Sequence, residues 1–342
     1  MDKQITVYDQ IAANNIKTIL LVLLFPVLLI FTLVLFNTLA IYLIEDPEYT
    51  EMGVLAFSDI FPNVNPYVNN FFLHICSSIG HLSVFFLPVT VVSFVWMAIS
   101  YCLGSKMMLG FSRATPIKKD KFPKIYNMVE NLAITAGLPT PKLYIIDDDS
   151  LNAFATGATP QSASIALTRG IIKKLTPLEL EGVIAHEMAH IANRDIRLNM
   201  LIITGLSIFS LLADVINSAF LKRRAKKQDG KVVMVAFCIF LALVIFNSII
   251  APIIHMAISR KREYAADANG ALLTRNPLAL ASALEKIAVD SQVEVLHDKP
   301  TMAQACIANP HLHNKSAFNS LLASHPPIKS RISILVHMAG RL

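Results

Sequence analysis

The sequence contains few charged residues and few cysteines for its length. Charged side chains make up 16% of its 342 residues and hydrophobic residues make up 54%, whereas a soluble globular protein has about 25% charged residues. This composition excludes an ordinary soluble protein and indicates a chain that needs lipid around it. The four cysteines are Cys76, Cys102, Cys238 and Cys306, and they form no C-x-x-C pair. We therefore expect reduced thiols rather than a disulfide framework.

Acidic and basic residues are absent from two long apolar stretches in the N-terminal third of the chain. The first runs from Ile19 to Ile44, and the second has its most apolar part at Val84 to Leu103. Each supplies the roughly 20 residues that a helix needs to cross a bilayer, and the first is too long for a cleaved signal peptide. Two later apolar runs, Leu201 to Phe220 and Val232 to Ile258, predict two further membrane helices.

Charge is distributed unevenly around these apolar runs. The loop of residues 45–72 contains acidic residues and no lysine or arginine, whereas residues 106–124 are rich in lysine. Because basic loops tend to stay on the cytoplasmic side of a membrane, we expect the segment after residue 106 to face the cytoplasm. The basic stretch at residues 222–231 conflicts with this rule if both later runs cross, so the depth of that hairpin stays open. These membrane-flanking residues account for the net charge of +6, and no nucleic-acid partner is expected.

The apolar runs divide the chain into four segments. Residues 1–105 are predicted to form a membrane anchor with two transmembrane helices, and residues 106–200 a cytoplasmic soluble segment. Residues 201–258 are predicted to form a membrane-associated hydrophobic hairpin, and residues 259–342 to complete the soluble part.

The soluble part is predicted to be mostly helical with a small β-sheet. An apolar face and a terminal glycine predict an amphipathic helix at Phe122 to Gly137. Short strands are predicted at Lys142–Ile146, Asn152–Thr156 and Ala163–Thr168. The sequence T-P-L-E provides an N-cap, a proline and a capping acid. It predicts a helix from Thr176 to Asn193 that continues into the third apolar run.

The predicted helix carries a metal-binding pattern. His186, Glu187 and His190 form the sequence H-E-x-x-H, which places two imidazoles on one helix face about one turn apart. Zinc suits such a pair, and the glutamate beside it can take a proton from water. The alternative is a pair of satisfied core histidines. The apolar flanks argue against that alternative, because burying two unpartnered histidines and an acid is costly.

A catalytic zinc site needs a third protein ligand, and the best candidate is Glu263. Asp267 follows it by four residues, so one helix face presents both carboxylates. One carboxylate can bind metal while the other accepts an N–H from a metal-binding imidazole. From spacing alone, a surface helix whose acids pair with Arg260, Lys261 and Arg262 explains the pattern equally well.

Three sequence blocks resemble a known family. AHEMAHIANRD, SRKREYAADANGA and SHPPIKSRI are similar to the signature blocks of the HtpX-type membrane metallopeptidases, relatives of the CAAX prenyl endopeptidases. The resemblance implies several membrane-spanning helices joined to a zincin-like metallopeptidase domain. It implies that His186, His190 and Glu263 bind one Zn²⁺ per chain, that Glu187 is the general base and that Asp267 orients a ligand.

The same resemblance assigns a role to the third block. His325 or Arg331 is expected to stabilise the oxyanion or to hold Glu263 in place, and the prolines after His325 would fix its backbone. The alternative for His325 is that it caps the final helix.

A further assignment concerns the strand that begins near residue 152. Asn152, Ala153 and Phe154 resemble the zincin edge strand that pairs with an extended substrate, because an exposed edge offers free N–H and C=O groups to a peptide. The alternative is an ordinary turn followed by a strand.

These features together favour a zinc endopeptidase that cuts damaged or misassembled membrane proteins. We expect an integral protein of the bacterial inner membrane, with a catalytic domain that faces the cytoplasm and polypeptides as substrates. A prenyl-protein processing enzyme is the alternative in the same class, although its chamber needs more spans. A non-catalytic zinc-containing scaffold and a zinc transporter, for which only Asp214 and His255 offer ligands within the later runs, are the alternatives from other classes.

Overall fold

The structure, a computed structural model, describes part of the chain in detail. The described residues are 11–24, 90–205, 260–290, 305–307 and 326–340, with a few single positions between them. The chain divides into two compact units. The first unit consists of Met1–Ile19, Ala98–Leu206 and Ala251–Leu342, and the second of Leu20–Met97 and Ser207–Ile250. The N-terminal residues thus cluster with the segments that the sequence predicts to be soluble, and the four-segment division stays a prediction.

One helix among the described residues is long and apolar enough to cross a membrane. This helix, α2 (Thr90–Phe111), overlaps the expected span at Val84 to Leu103 but continues beyond it. Lys106 does not end it, since a lysine at the end of a span can extend its ammonium group towards water. The first helix, α1 (Ile11–Leu24), is apolar but shorter. The rest of the expected multi-span architecture falls largely outside the described residues and stays a prediction.

A small mixed sheet forms one layer of the first unit. Its strands are β1 (Thr115–Pro116), β2 (Lys142–Ile146), β3 (Ala153–Thr156) and β4 (Ser164–Thr168). They lie in the order β1-β2-β4-β3, with β2 parallel to β4 and the other pairs antiparallel. The predicted strands are confirmed, and β3 lies at an edge of the sheet.

Helices cover the sheet and complete the unit. They are α3 (Pro123–Ala136), α4 (Arg169–Lys174), α5 (Pro177–Ala192), α6 (195–205), α7 (Arg260–Thr274), α8 (Pro277–Val289) and α9 (Ile328–Ala339). The predicted amphipathic helix is confirmed as α3, which ends at Gly137 in a left-handed conformation (φ 65°). The mostly helical fold with a small sheet is therefore confirmed.

The helix that carries the H-E-x-x-H pattern ends earlier than expected. The sequence predicts that it runs through Asn193 and onward, but α5 ends at Ala192 with Asn193 as its C-cap. Arg194 has a φ of 58°, a left-handed conformation that breaks the ladder of helical hydrogen bonds. Helix α6 then begins at Asp195 in a new direction.

Close backbone packing joins α5 to α7. A Cβ atom on Gly270 would lie 2.9 Å from the backbone nitrogen of His186 and 3.2 Å from the carbonyl carbon of Ala185. Only glycine therefore allows α7 to approach α5 at the level of the first histidine.

Gly270→Ala is expected to push α7 away from α5 and to destabilise the protein by about 1–3 kcal/mol. Thermal unfolding in detergent measures the effect. Gly110→Ala is the matched control, because a Cβ at that helical position meets nothing within 4 Å and alanine favours helix. If Gly270→Ala unfolds at the same temperature as wild type, the two helices do not pack this closely.

The start of α5 is fixed by Glu179. Its Oε2 accepts hydrogen bonds from the Thr176 N–H (2.8 Å) and the Lys286 ammonium (2.7 Å), and its Oε1 accepts one from Ser282 (2.7 Å). The predicted capping box is thus confirmed. Burial alone would raise the pKa of Glu179, but these hydrogen bonds lower it to about 2.

A carboxylate with a lowered pKa stabilises the fold fully above its ordinary pKa of 4.5, and the contribution is lost as the pH falls towards about 2. Glu179→Gln is therefore expected to reduce the free energy of unfolding at neutral pH by about 1–3 kcal/mol. The difference from wild type should shrink in acid, which unfolding titrations at several pH values would measure. Glu285→Gln is the control, since Glu285 is exposed on α8. A pH-independent difference would contradict this account.

Candidate metal centre

Two histidines of α5 and a glutamate of α7 converge in the interior of the first unit. The Nε2 atoms of His186 and His190 lie 3.2 Å apart. Glu263 approaches them with its carboxylate oxygens, at 3.9 Å from Nε2 of His186 and 3.5 Å from Nε2 of His190. One ligand atom from each residue lies within 4.8 Å of the other two. The structure thus brings together the three residues that the sequence indicated, across a long separation in the chain.

The spacing and chemistry of these atoms fit a zinc ion. Two nitrogens that each lie about 2.0–2.1 Å from a tetrahedral zinc are about 3.3 Å apart, close to the 3.2 Å between the two Nε2 atoms. Two imidazoles and one carboxylate are also a common donor set of catalytic zinc sites, which keep a fourth position open.

The opposite nitrogen of each imidazole is held by a carboxylate. The Nδ1 atom of His186 lies 2.9 Å from Oδ1 of Asp267, and the Nδ1 atom of His190 lies 3.0 Å from Oδ2 of Asp195. Because a carboxylate only accepts hydrogen bonds, each Nδ1 carries a proton, and each Nε2 is the nitrogen that faces the shared space and binds metal once it is deprotonated. Asp267 was expected in this position.

Sequence reasoning missed Asp195, although it stands at the end of the first signature block. On a continuous helix, a residue five positions after His190 would lie about 140° around the axis from it. The left-handed Arg194 turns the chain and brings Asp195 back beneath the imidazole. A glycine or asparagine commonly signals such a turn, and here the residue is an arginine, so no local signal was present.

The charges around His190 favour a cation. Burial alone would lower the pKa of His190, but Asp195, Glu263 and Glu187 raise it to about 9. The same carboxylates attract a metal ion, which must displace the imidazole proton in order to bind.

Arg331 is fully buried behind the centre. Its guanidinium donates two hydrogen bonds of 2.7 Å to the carboxylate of Asp267 and one of 2.9 Å to the carbonyl of Ile307. It also lies 3.6 Å from Oε2 of Glu263. Burial would raise the pKa of Asp267, but Arg331 lowers it to about 2. The geometry favours the holding role of Arg331 over oxyanion contact, and His325 lies outside the described residues.

Glu187 lies beside the metal-binding atoms in the same cavity. It is buried, and burial raises its pKa above the ordinary glutamate value, while the two histidines and the Ala155 N–H oppose this shift. The cavity is also lined by Ile196, Asn199, Ala305, Cys306 and Ile307. A carboxylate is thus placed in the same cavity as the three metal-binding side chains.

The edge of β3 is less open than the sequence suggested. Asn152, Ala153 and Phe154 are all buried. The Ala153 carbonyl already accepts a hydrogen bond from the Ile307 N–H (2.9 Å), and the Ala153 N–H donates to the side chain of Asn152 (3.0 Å). A substrate strand at this edge must share it with residues 305–307, and its binding there stays a prediction.

Comparisons with known proteins identify the family. The model of "Peptidase family M48" matches residues 119–339. The chain is 38% identical to a "Protease HtpX homolog" of Bacteroides fragilis, over 96% of this chain and 98% of the relative. It is 40% identical to the "Protease HtpX homolog" of Dictyoglomus thermophilum, over 71% of this chain and 78% of the relative. The crystal structure of S. mikatae Ste24p is 22% identical, with a TM-score of 0.43 over 84% of this chain and 62% of that one.

The family match at residues 119–339 includes both histidines, Glu263 and Arg331. The identity to the HtpX homologues extends over nearly the whole sequence, so the resemblance found in the signature blocks is confirmed. The protein belongs to peptidase family M48.

Proposed function

We propose that this protein is a zinc-dependent endopeptidase that acts on polypeptides at a membrane surface. The observation that carries the proposal is the convergence of His186, His190 and Glu263, with both Nδ1 atoms held by carboxylates. A structural zinc site would close its fourth position with a further cysteine or histidine. Among the described residues Cys306 lines the same cavity but is not part of the cluster of close ligand atoms, and Glu187 is available beside that cluster as a base.

The mechanism assigns each side chain a task in peptide hydrolysis. When bound, the metal ion supplies a Lewis acid that acidifies water and polarises the scissile carbonyl. Glu187 accepts the proton of the attacking water and passes it to the leaving amine. Burial raises its pKa above the ordinary glutamate value, which makes the ionised carboxylate a stronger proton acceptor than an exposed glutamate.

The surrounding residues keep the ligands in place. Asp267 and Asp195 fix the orientation of the two imidazoles, and Arg331 holds Asp267 and lies beside Glu263. Such outer contacts set the basicity and direction of the ligands. In this proposal Arg331 acts by positioning, and oxyanion stabilisation by His325 is an added expectation from the family resemblance.

A position near the membrane is supported by the packing of α2. A Cβ on Gly104 of this helix would lie 2.9 Å from the Met200 side chain of α6, so the two helices pass very close to each other. Met200 follows Asp195 by five residues, or about 8 Å along the helix. The candidate membrane helix therefore contacts the helix that begins at the metal centre. Membrane polypeptides that lie against the bilayer would reach this site readily.

We further propose that the substrates are damaged or misassembled membrane proteins, and that the enzyme works in the bacterial inner membrane with its catalytic domain in the cytoplasm. The supports are the lysine-rich residues 106–124 in the last turns of α2 and beyond it, the acidic loop at residues 45–72 and the similarity to HtpX homologues, which are described as proteases. Quality control fits a peptidase that recognises the backbone of polypeptides with many different sequences.

Glu187→Gln is expected to reduce proteolysis by about 10²–10⁴-fold, because it removes the general base, while leaving the metal content unchanged. Cleavage of a denatured membrane protein and elemental analysis of the same sample measure both properties. Glu181→Gln, on the same helix and outside the cavity, is the control. Equal proteolysis by wild type and Glu187→Gln would refute the assigned role. A metal-loaded wild type without any activity would favour the scaffold alternative.

Glu263→Ala is expected to weaken zinc binding by more than about 100-fold, because it removes a direct ligand whereas loss of an outer contact costs about 10–100-fold. Competition with a chromophoric chelator measures the affinity. Glu285→Gln, exposed on α8, should bind zinc as wild type does. Unchanged stoichiometry and affinity in Glu263→Ala would remove Glu263 from the ligand set.

A further inference from the structure

A buried amide of the N-terminal helix reaches the metal centre. Asn14 of α1 is only 2% exposed. Its Nδ2 atom donates a hydrogen bond of 2.6 Å to Oδ1 of Asp195 and another of 3.0 Å to the carbonyl of Asn193. These acceptors flank Arg194, so one side chain binds both ends of the left-handed turn that directs Asp195 towards His190.

Asp195 depends on such donors because it is almost completely buried. Its Oδ2 accepts the hydrogen bond from His190, and its Oδ1 accepts hydrogen bonds from two other residues. Oδ1 receives Asn14 at 2.6 Å and Arg262 at 3.1 Å, and the Arg262 guanidinium also bonds to Asn199. A buried carboxylate oxygen that loses its closest donor becomes poorly satisfied and moves towards other partners.

Buried polar side chains attach the part of α1 around Asn14 and Thr18 to the first unit. Asn14 and Thr18 are buried, and Thr18 donates its hydroxyl to the Asn14 carbonyl. The apolar side chains of Ile16 and Ile19 are instead 59% and 60% exposed. This inside-out pattern suits a helix whose apolar side meets lipid and whose polar side meets protein.

We propose that Asn14 is a positioning residue of the metal centre. It fixes the carboxylate of Asp195, Asp195 fixes the ring of His190, and the N-terminal apolar helix is thereby a structural part of the peptidase site. The inference rests on the proposed function, since it assumes that His190 binds the metal. It adds that binding of the metal depends on α1 through the hydrogen bond between Asn14 and Asp195.

The test uses the full-length chain in detergent and compares zinc affinity by chelator competition. Asn14→Ala and Asn14→Asp are both expected to weaken binding about tenfold, at the low end of the range for outer contacts. Asn14→Asp is informative because it preserves the shape of the side chain and replaces the donor with a charged acceptor next to Oδ1 of Asp195. The visible spectrum of the Co²⁺-substituted protein should change in the same variants, because it reports the geometry of the ligands.

Asn15→Ala is the matched control. Asn15 lies on the next position of α1 and accepts a hydrogen bond from Arg197, so its loss weakens attachment of the helix without touching Asp195. We expect zinc affinity and the Co²⁺ spectrum of this variant to match those of wild type. Equal weakening by Asn14→Ala and Asn15→Ala would overturn the proposal, since the effect would then come from attachment alone.

A double-mutant cycle tests whether Asn14 acts through Asp195. In an Asp195→Ala background, Asn14→Ala should cause no further loss of zinc affinity, whereas independent effects would multiply. Independent effects, or wild-type affinity in Asn14→Asp, would refute the positioning role while leaving the proposed function intact. A folded wild-type chain that takes up no zinc would refute the proposed function itself, which keeps the two failures distinct.

Discussion

Two hydrogen bonds between carboxylates and imidazoles determine how the rest of the site is built. The Nδ1 protons of His186 and His190 point at Asp267 and Asp195, so both Nε2 atoms must point into one shared space. Without these bonds each ring could rotate or take the other tautomer, and the lone pairs would no longer converge. The fold therefore has to deliver two carboxylates from different segments behind one turn of α5. The close approach of α7 and the break after Ala192 are the two means by which it does so.

Burying those carboxylates creates an electrostatic problem that the neighbouring arginines solve. An unpaired charge in the interior is strongly destabilising, and both carboxylates are almost fully buried. Arg331 pairs with Asp267, and Arg262 pairs with Asp195. Arg262 directly precedes Glu263 on α7, and Arg331 lies 3.6 Å from the Glu263 carboxylate. The charge balance and the placement of the third ligand are thus one structural constraint.

Local patterns in the sequence predicted α3, the start of α5 and strands β2 to β4, but not β1, α4 or α8, and they predicted only part of the site. The capping box at Thr176 and the glycine at residue 137 set helix ends through hydrogen bonds to residues a few positions away. Both could therefore be predicted from the local sequence without knowledge of the fold. The i, i+4 spacing of His186 and His190 predicted for the same reason that both imidazoles lie on one helix face. Glu263 required the family resemblance, because spacing alone could not distinguish a ligand from a surface acid. Asp195 was missed because the left-handed arginine before it carries no turn signal.

The contact of Asn14 illustrates why some functional residues are invisible to pattern analysis. An asparagine near the start of an apolar helix forms no spacing pattern with its neighbours in sequence. The residue that it contacts, Asp195, lies 181 positions further along the chain. Only the fold shows that its amide satisfies a buried carboxylate oxygen. A polar group is costly in lipid and is retained there when it binds protein. The side chains of Ile16 and Ile19 are exposed on this helix, whereas the amides of Asn14 and Asn15 bond to the first unit, and the Asn14 amide reaches the carboxylate that holds His190.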